Sequence, residues 1–255
     1  MDRGPHRLAV VLNESEAGGS DGAVDAAALM ARHGAEIVVV KRGPRGATVF
    51  ERGGDAVEIP VYRSDSVFKI GSGDVFSAAF ALHWGERGLA AASAADIASR
   101  SVASFVDGHA LPLDDTTNQS AVAVRAADQR RIYLAGPFFD LAQRWLIEEA
   151  FRILTEFGAE VFSPLHEVGT GLSADAIAEA DLEGLRGCSK VLGLLDGADS
   201  GTVFEVGYAR ALGIPVIALA ERLDAENLTM IAGSGCEVVR DFTTAIYRVM
   251  WAGGR

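Results

Sequence analysis

The chain has 255 residues, 49% hydrophobic and 23% charged, with a formal net charge of −12. That length suits two cores of ordinary size, and the acidic balance argues against a nucleic-acid partner, because gripping a phosphate backbone takes a cationic face. The two cysteines, Cys188 and Cys236, lack metal-ligand spacing and read as small buried residues of a reduced, intracellular protein. With no charged leader followed by an apolar core and no apolar run of membrane-spanning length in the sequence, the expectation is a soluble, cytoplasmic protein without a membrane partner.

From the amino end, residues 35–41 (AEIVVVK) read as a strand, 42–46 (RGPRG) as a tight turn and 47–50 as a second strand. A strand over 56–61 follows Gly53-Gly54. Gly71-Ser72-Gly73-Asp74 then leads into a helix over 75–84. Glycines ahead of a helix start expose backbone N–H groups to an anion, a common way of holding phosphate. Residues 113–120 (LDDTTNQS) have neither helical nor strand period. They begin a linker, taken as 116–130, between a domain at 1–115 and a second at 131–255.

In the second domain, 131–139 (RIYLAGPFF) is a short strand running into a turn, and 141–157 has apolar residues at helical spacing. Residues 160–163 are a second strand, closed by Pro164-Leu165-His166-Glu167. A helix over 174–186 carries Glu179 and Asp181. The run VLGLL at 191–195 is a buried strand, and 214–219 is another. Between them, DGADSGTVFEVGYA at 196–209 sets Asp199 and Glu205 around a glycine-containing turn, with a helix from about 202. Alternating strands and helices argue for a small doubly wound parallel sheet, whose ligands bind beyond the carboxyl ends of the strands. Glu205, near a helix amino end, is favoured as an ionised acid and is a credible nucleophile. Plainer roles stand beside these. Asp199 and Ser200 suit a helix N-cap, Glu179 and Asp181 a solvated helix face, Tyr133 the core, and His166 a structural hydrogen bond.

YLAGPFF at 133–139, FSP at 162–164, AEADL at 178–182 and D-S-G-T-x-x-E-x-G-Y-A at 199–209 resemble, in the same order, the motifs of the nucleoside 2-deoxyribosyltransferase family. The resemblance implies a Rossmann-like, flavodoxin-like domain in which Glu205 attacks C1′ of a nucleoside, Asp181 gives a proton to the leaving base, Asp199 positions sugar and nucleophile, and Tyr133 hydrogen-bonds near the nucleophile. Gly136, Pro137, Phe138, Phe139, His166, Ser200 and Gly201 would contact substrate. Asn227 and Met230 would lie in a loop donated by a neighbouring subunit, which implies a homo-oligomer. No cofactor is expected for this chemistry: one carboxylate forms a glycosyl intermediate, another group protonates the base, and water or a second base resolves it. A sister group hydrolyses nucleoside 5′-monophosphates and carries a small hydroxyl residue six positions before its glutamate. Here that position is Asp199, which would repel a dianion, and no basic residue follows Gly136-Pro137. The stretch 227–234 resembles both groups, so a nucleoside is the favoured substrate and a monophosphate the alternative.

The first half resembles the C-terminal, nucleotide-binding part of ribokinase-like (PfkB-type) carbohydrate kinases. Asn13 and Glu16 form an N-x-x-E pair, Lys41-x-Gly43-x-x-Gly46 follows, and Gly71-Ser72-Gly73-Asp74 completes the order. The resemblance implies a partial ribokinase-like α/β domain that binds ATP with Mg²⁺. Asn13 and Glu16 would serve the metal and phosphates, Lys41, Gly43, Gly71, Ser72 and Gly73 the anion, and Asp74 would be the base of an active kinase; no metal-ligand set is assigned. The sequence departs at Val67-Phe68-Lys69-Ile70, where the family has an acidic-threonine run, and only seven residues precede Leu8 where the family's sugar-binding half would stand. A degenerate or regulatory nucleotide-binding module is therefore expected. The alternatives are a sugar or nucleoside kinase completed by a partner, and a non-catalytic nucleotide-binding protein.

Overall fold

The computed structural model describes residues 7–17, 24–108, 111–113, 121–124, 131–169 and 171–253. Two compact units divide it, Met1–Arg125 and Ala126–Arg255. The boundary falls inside the segment read as a linker. Of that segment, 116–120 and 125–130 lie outside the described residues, while Ala123–Val124 forms a strand of the first unit.

In the first unit, β1 (Ala9–Asn13) and β2 (Ile37–Lys41) run parallel, with α1 (Ala26–His33) between them, and β3 (Ala47–Glu51) and β4 (Val57–Ile59) extend the sheet antiparallel in the order β1-β2-β3-β4. The unbroken apolar run of β2 follows from burial on both faces. Ile37 and Val39 pack into one cluster with Phe76, Phe80 and Trp84, while Val38 and Val40 pack into the other with Met30 of α1. The strand read over 56–61 is in fact two, β4 and β5 (Val61–Tyr62), broken at Pro60, which has no N–H for a ladder. β5 pairs with β6 (Ala123–Val124). The helix expected from 75 begins earlier, as α2 (Ser72–Phe80), and runs on into a π-helical turn at Ala81–Glu86. Gly71, with φ of 81°, supplies the left-handed residue that turns the chain into α2, so Gly73 and Asp74 sit inside its first turn. α3 (Ala91–Gly108) lies on the same sheet face through Ala94, Ala95 and Ala98.

The second unit holds β7 (Ile132–Ala135), α4 (Leu141–Glu156), β8 (Val161–Phe162), α5 (Pro164–Glu167), α6 (Ala174–Arg186), β9 (Lys190–Leu194), α7 (Ser200–Ala211), β10 (Val216–Leu219), α8 (Thr229–Gly233), β11 (Glu237–Val239) and α9 (Phe242–Trp251). Every strand pairing is parallel and the order is β11-β10-β9-β7-β8. This is the flavodoxin-like winding, with its switch of direction between β7 and β9. Alternate residues divide between two cores. Tyr133, Ala135, Val191 and Ala218 face Leu185 of α6 and Val206 of α7, while Ile132, Leu134, Leu192 and Ile217 face Ile147 and Leu154 of α4 and Val249 of α9. Asp140 and Gln143 form a capping box that starts α4 straight after the β7 turn.

Two glycines make contrasting predictions about helix packing. A methyl group at Gly184 of α6 would lie 2.2 Å from Cζ of Phe162, whereas one at Gly207 of α7 meets nothing within 4 Å. Gly207→Ala is expected to stabilise the unit by roughly 0.5–1 kcal/mol through helix propensity. Gly184→Ala is expected to destabilise it by about 1–3 kcal/mol, overpacking outweighing the same propensity gain. Urea denaturation of the two variants reads the opposite signs.

Candidate functional site

Tyr133 is the second residue of β7 and is fully buried on the face covered by α6 and α7. Its ring stacks on Phe162 of β8 at 5.3 Å, and its hydroxyl donates to Oε1 of Glu205 at 2.6 Å. Glu205 reaches that hydroxyl because α7 lies close over β9. A Cβ at Gly193 of β9 would stand only 2.9 Å from Cγ2 of Val206, so a larger residue there pushes the helix and its glutamate outward. Asp181 projects from α6, its Oδ1 buried and without a hydrogen-bond partner among the described residues. Asp199 is the N-cap of α7, with Oδ2 accepting from the Thr202 N–H at 2.8 Å and from the Thr202 hydroxyl at 2.9 Å.

These groups shape one another's protonation. Burial pushes the Glu205 carboxyl up to about 7; the Tyr133 hydrogen bond pulls it down, and the charges of Asp181 and Asp199 push it further up. Burial also raises Asp181, and a carboxyl so placed retains its proton more readily. Tyr133 is held well above the ordinary phenol range, first by burial and then by the charge of Glu205, and so remains a donor. Two carboxyls raised by burial and an oriented hydroxyl thus stand together beside the switch point of the sheet.

The loop after β7 forms one lip of the crevice at the carboxyl ends of the strands. Gly136 is packed so tightly that a Cβ would stand 2.8 Å from Ile147, and Pro137 is buried. Phe138 and Phe139 stack on each other at 5.6 Å, with Phe139 71% exposed. Ser200 and Gly201 are exposed in the first turn of α7, and Asn227 and Met230 are exposed in the connection between β10 and β11. His166 is elsewhere. Its ring stacks on Phe151 of α4 at 4.1 Å, and its two nitrogens meet Ser163 and Glu148 at 2.9 and 3.0 Å, among residues of the helix layer opposite Tyr133 and Glu205. Asp196, which the sequence reading did not single out, accepts from the N–H groups of Glu221 and Arg222 at 3.1 and 3.0 Å and so ties the loop after β9 to the loop after β10. Its place directly after the apolar run of β9 was the available signal.

In the first unit, Asn13 and Lys41 end the parallel strands β1 and β2 in register. The Lys41 ammonium lies 3.0 Å from where a Cβ would stand on Gly73, against the first turn of α2. Glu16 is engaged locally, accepting from the Asn13 N–H at 2.7 Å. Gly43 opens the turn between β2 and β3. Asp74 is exposed and borders a cavity of about 810 Å³ between α2 and α3, whose wall includes Ala78, Leu82, His83 and Ile97. Among the described residues, no cluster of three His, Cys, Asp or Glu side chains is placed to hold a metal ion, and no helix is long and apolar enough to cross a membrane.

Removing the Tyr133 hydroxyl takes away the hydrogen bond that pulls the Glu205 carboxyl down. In Tyr133→Phe, NMR titration of that carboxyl is expected to show a midpoint above the wild-type value of about 7. Because the folded-state value is raised, protonated Glu205 favours the fold, and that contribution fades as pH rises through about 7. Glu205→Gln is therefore expected to gain stability relative to wild type between pH 5 and pH 8, read by thermal melts at the two pH values.

Residues 132–238 match the family model for nucleoside 2-deoxyribosyltransferase, and residues 7–107 match that for the pfkB family carbohydrate kinases. Among solved structures, the chain is similar to a 2-deoxyribosyltransferase of Bacillus psychrosaccharolyticus, at 32% identity over 44% of this chain and 86% of that one, with a TM-score of 0.38. It is similar also to a CMP N-glycosidase of Clostridium botulinum, at 20% identity over 47% of this chain and 96% of that one, with a TM-score of 0.38. Through its first half it is similar to a Burkholderia thailandensis nucleoside kinase in complex with inosine, at 25% identity over 38% of this chain, with a TM-score of 0.30, and it covers 32% of the length of that kinase. Comparison with curated proteins gave no match. The second half of the chain belongs to the nucleoside 2-deoxyribosyltransferase family, and residues 7–107 are similar to the pfkB family carbohydrate kinases.

Proposed function

We propose that the second unit cleaves or transfers the N-glycosidic bond of deoxynucleosides through a covalent glycosyl intermediate on Glu205. The observation that carries this reading is the 2.6 Å hydrogen bond from Tyr133 to Glu205, set beside Asp181 and Asp199 at the switch point of a parallel sheet. A carboxylate oxygen of Glu205 attacks C1′, the C1′–N bond breaks, and its electron pair leaves with the base, which takes the proton of Asp181. Water or the nitrogen of a second base then attacks C1′, displaces Glu205 and returns a proton to Asp181. Positive charge gathers at C1′ and the ring oxygen in both steps, so a 2′-hydroxyl, which withdraws electrons, slows them. Hydrolysis and transfer differ only in which acceptor reaches the intermediate.

A carboxylate at the head of α7 disfavours a 5′-phosphate, so a nucleoside is the proposed substrate rather than its monophosphate. The exposed Asn227 and Met230 suit a loop that completes the site of a neighbouring subunit, and a homo-oligomer is proposed on that basis. A cytoplasmic setting and the lack of a nucleic-acid partner remain part of the proposal, the latter in keeping with the net charge of −12.

For the first unit, the cavity bordered by Asp74 and the approach of Lys41 to the first turn of α2 support the binding of a nucleotide, with Mg²⁺ as its counter-ion. Nucleotide binding is the reading of this unit; phosphoryl transfer would further need an acceptor held in line with the donor. A partner-completed kinase would instead consume ATP in a manner lost on Asp74→Ala and kept on Glu205→Ala.

One assay tests the reading of the second unit. The protein is incubated with deoxynucleosides, ribonucleosides and monophosphates, with and without a free acceptor base, and base release or exchange is followed by chromatography. Turnover of deoxynucleosides is expected, reduced about a thousandfold or more by Glu205→Ala. Because only ionised Glu205 is a nucleophile, the rate is expected to rise with pH through about 7. No base release from any nucleoside, or full release by Glu205→Ala, contradicts the proposal.

A further inference from the structure

Thr202 is 2% exposed in the first turn of α7, and both of its donors end on the same atom, Oδ2 of Asp199. The bond from the Thr202 backbone is an ordinary N-cap that any residue at this position supplies. The bond from its hydroxyl is not. A single cap leaves a carboxylate free to turn about the capped oxygen, whereas two donors converging on one oxygen fix the plane of the group. Gly201 leaves that arrangement room, since a Cβ there would stand 3.2 Å from the same oxygen.

We propose that Thr202 is a positioning residue, whose hydroxyl locks the Asp199 carboxylate with Oδ1 left for the sugar and its charge held at a fixed distance from Glu205. This rests on the reading of the second unit as a nucleoside-cleaving enzyme. Glu205 is surrounded by Tyr133 from β7, Asp181 from α6 and Asp199 at the head of its own helix, and the charge of Asp199 is one of the two that raise it. If the carboxylate of Asp199 turns away, Glu205 ionises at lower pH, and the sugar loses a partner. A residue that only fills space in the core predicts neither effect.

The test compares Thr202→Val, which keeps the volume and removes the hydroxyl, with Thr202→Ser, which keeps the hydroxyl and removes the methyl. Steady-state kinetics on the best deoxynucleoside are paired with carboxyl NMR titration of Glu205, and thermal melts check folding. Should T202V not fold, Thr202→Ala is the second variant without a hydroxyl. In the hydroxyl-free variant, kcat/KM is expected to fall about tenfold, mainly through KM, and the Glu205 midpoint to move down, while T202S stays within about twofold of wild type on both. A hydroxyl-free variant with wild-type KM and titration overturns the proposal, as does a T202S as impaired as T202V. If wild type itself releases no base, the functional reading fails separately, and the titrations still decide whether Thr202 sets the charge that Glu205 meets.

Discussion

The second unit depends on a carboxylate held where water is scarce. Taking Glu205 out of solvent is unfavourable for its charged form, and the structure offsets that with a single short bond from a fully buried phenol. Tyr133 can give that bond only because it stands inside the sheet rather than on a loop. Its backbone is fixed by parallel neighbours on both sides and its ring by Phe162. The balance raises the Glu205 carboxyl to about 7, so small changes around it move it between its ionised and neutral forms.

The rest of the unit can be understood as the means of bringing three carboxyls from two helices to that phenol. The winding places the β7 and β9 ends side by side with no helix between them, opening a crevice. Gly193 lets α7 descend onto β9, and Gly184 lets α6 settle on the Phe162 ring, so that Glu205 and Asp181 approach from adjacent helices. Asp199 enters from the cap of α7 and does two jobs with one side chain: its capped oxygen starts the helix, and its charge acts on Glu205. The N-cap role and the proposed functional one are therefore compatible at this residue.

Much of this was legible in the sequence where local pattern and tertiary role coincide. The strand runs of 191–195 and 214–219, the helix over Ala174–Arg186 and the order of motifs around Asp199 and Glu205 all point to a doubly wound sheet with its site at the carboxyl edge. What depends on distant partners was not legible. His166 follows a strand as a substrate contact does, but Phe151 and Glu148 of α4 claim its ring from another part of the chain. Thr202 looks like any helical threonine until its burial and its second bond are seen. The start of α2 was missed because glycine and aspartate suggest loop, whereas Gly71 in the left-handed region places both inside a helix. The first unit shows the same division: the two-sided burial of β2 was written in its apolar run, but the cavity between α2 and α3 arises from packing alone.

The claim that joins these parts is that Glu205 bonds transiently to an anomeric carbon. Acid quenching during turnover of a deoxynucleoside, followed by mass spectrometry of the tryptic peptide 191–210, tests it most directly. The account predicts that this peptide carries the added mass of one deoxyribosyl group on Glu205. Base release during turnover with that peptide unmodified, or with the sugar on another side chain, contradicts it.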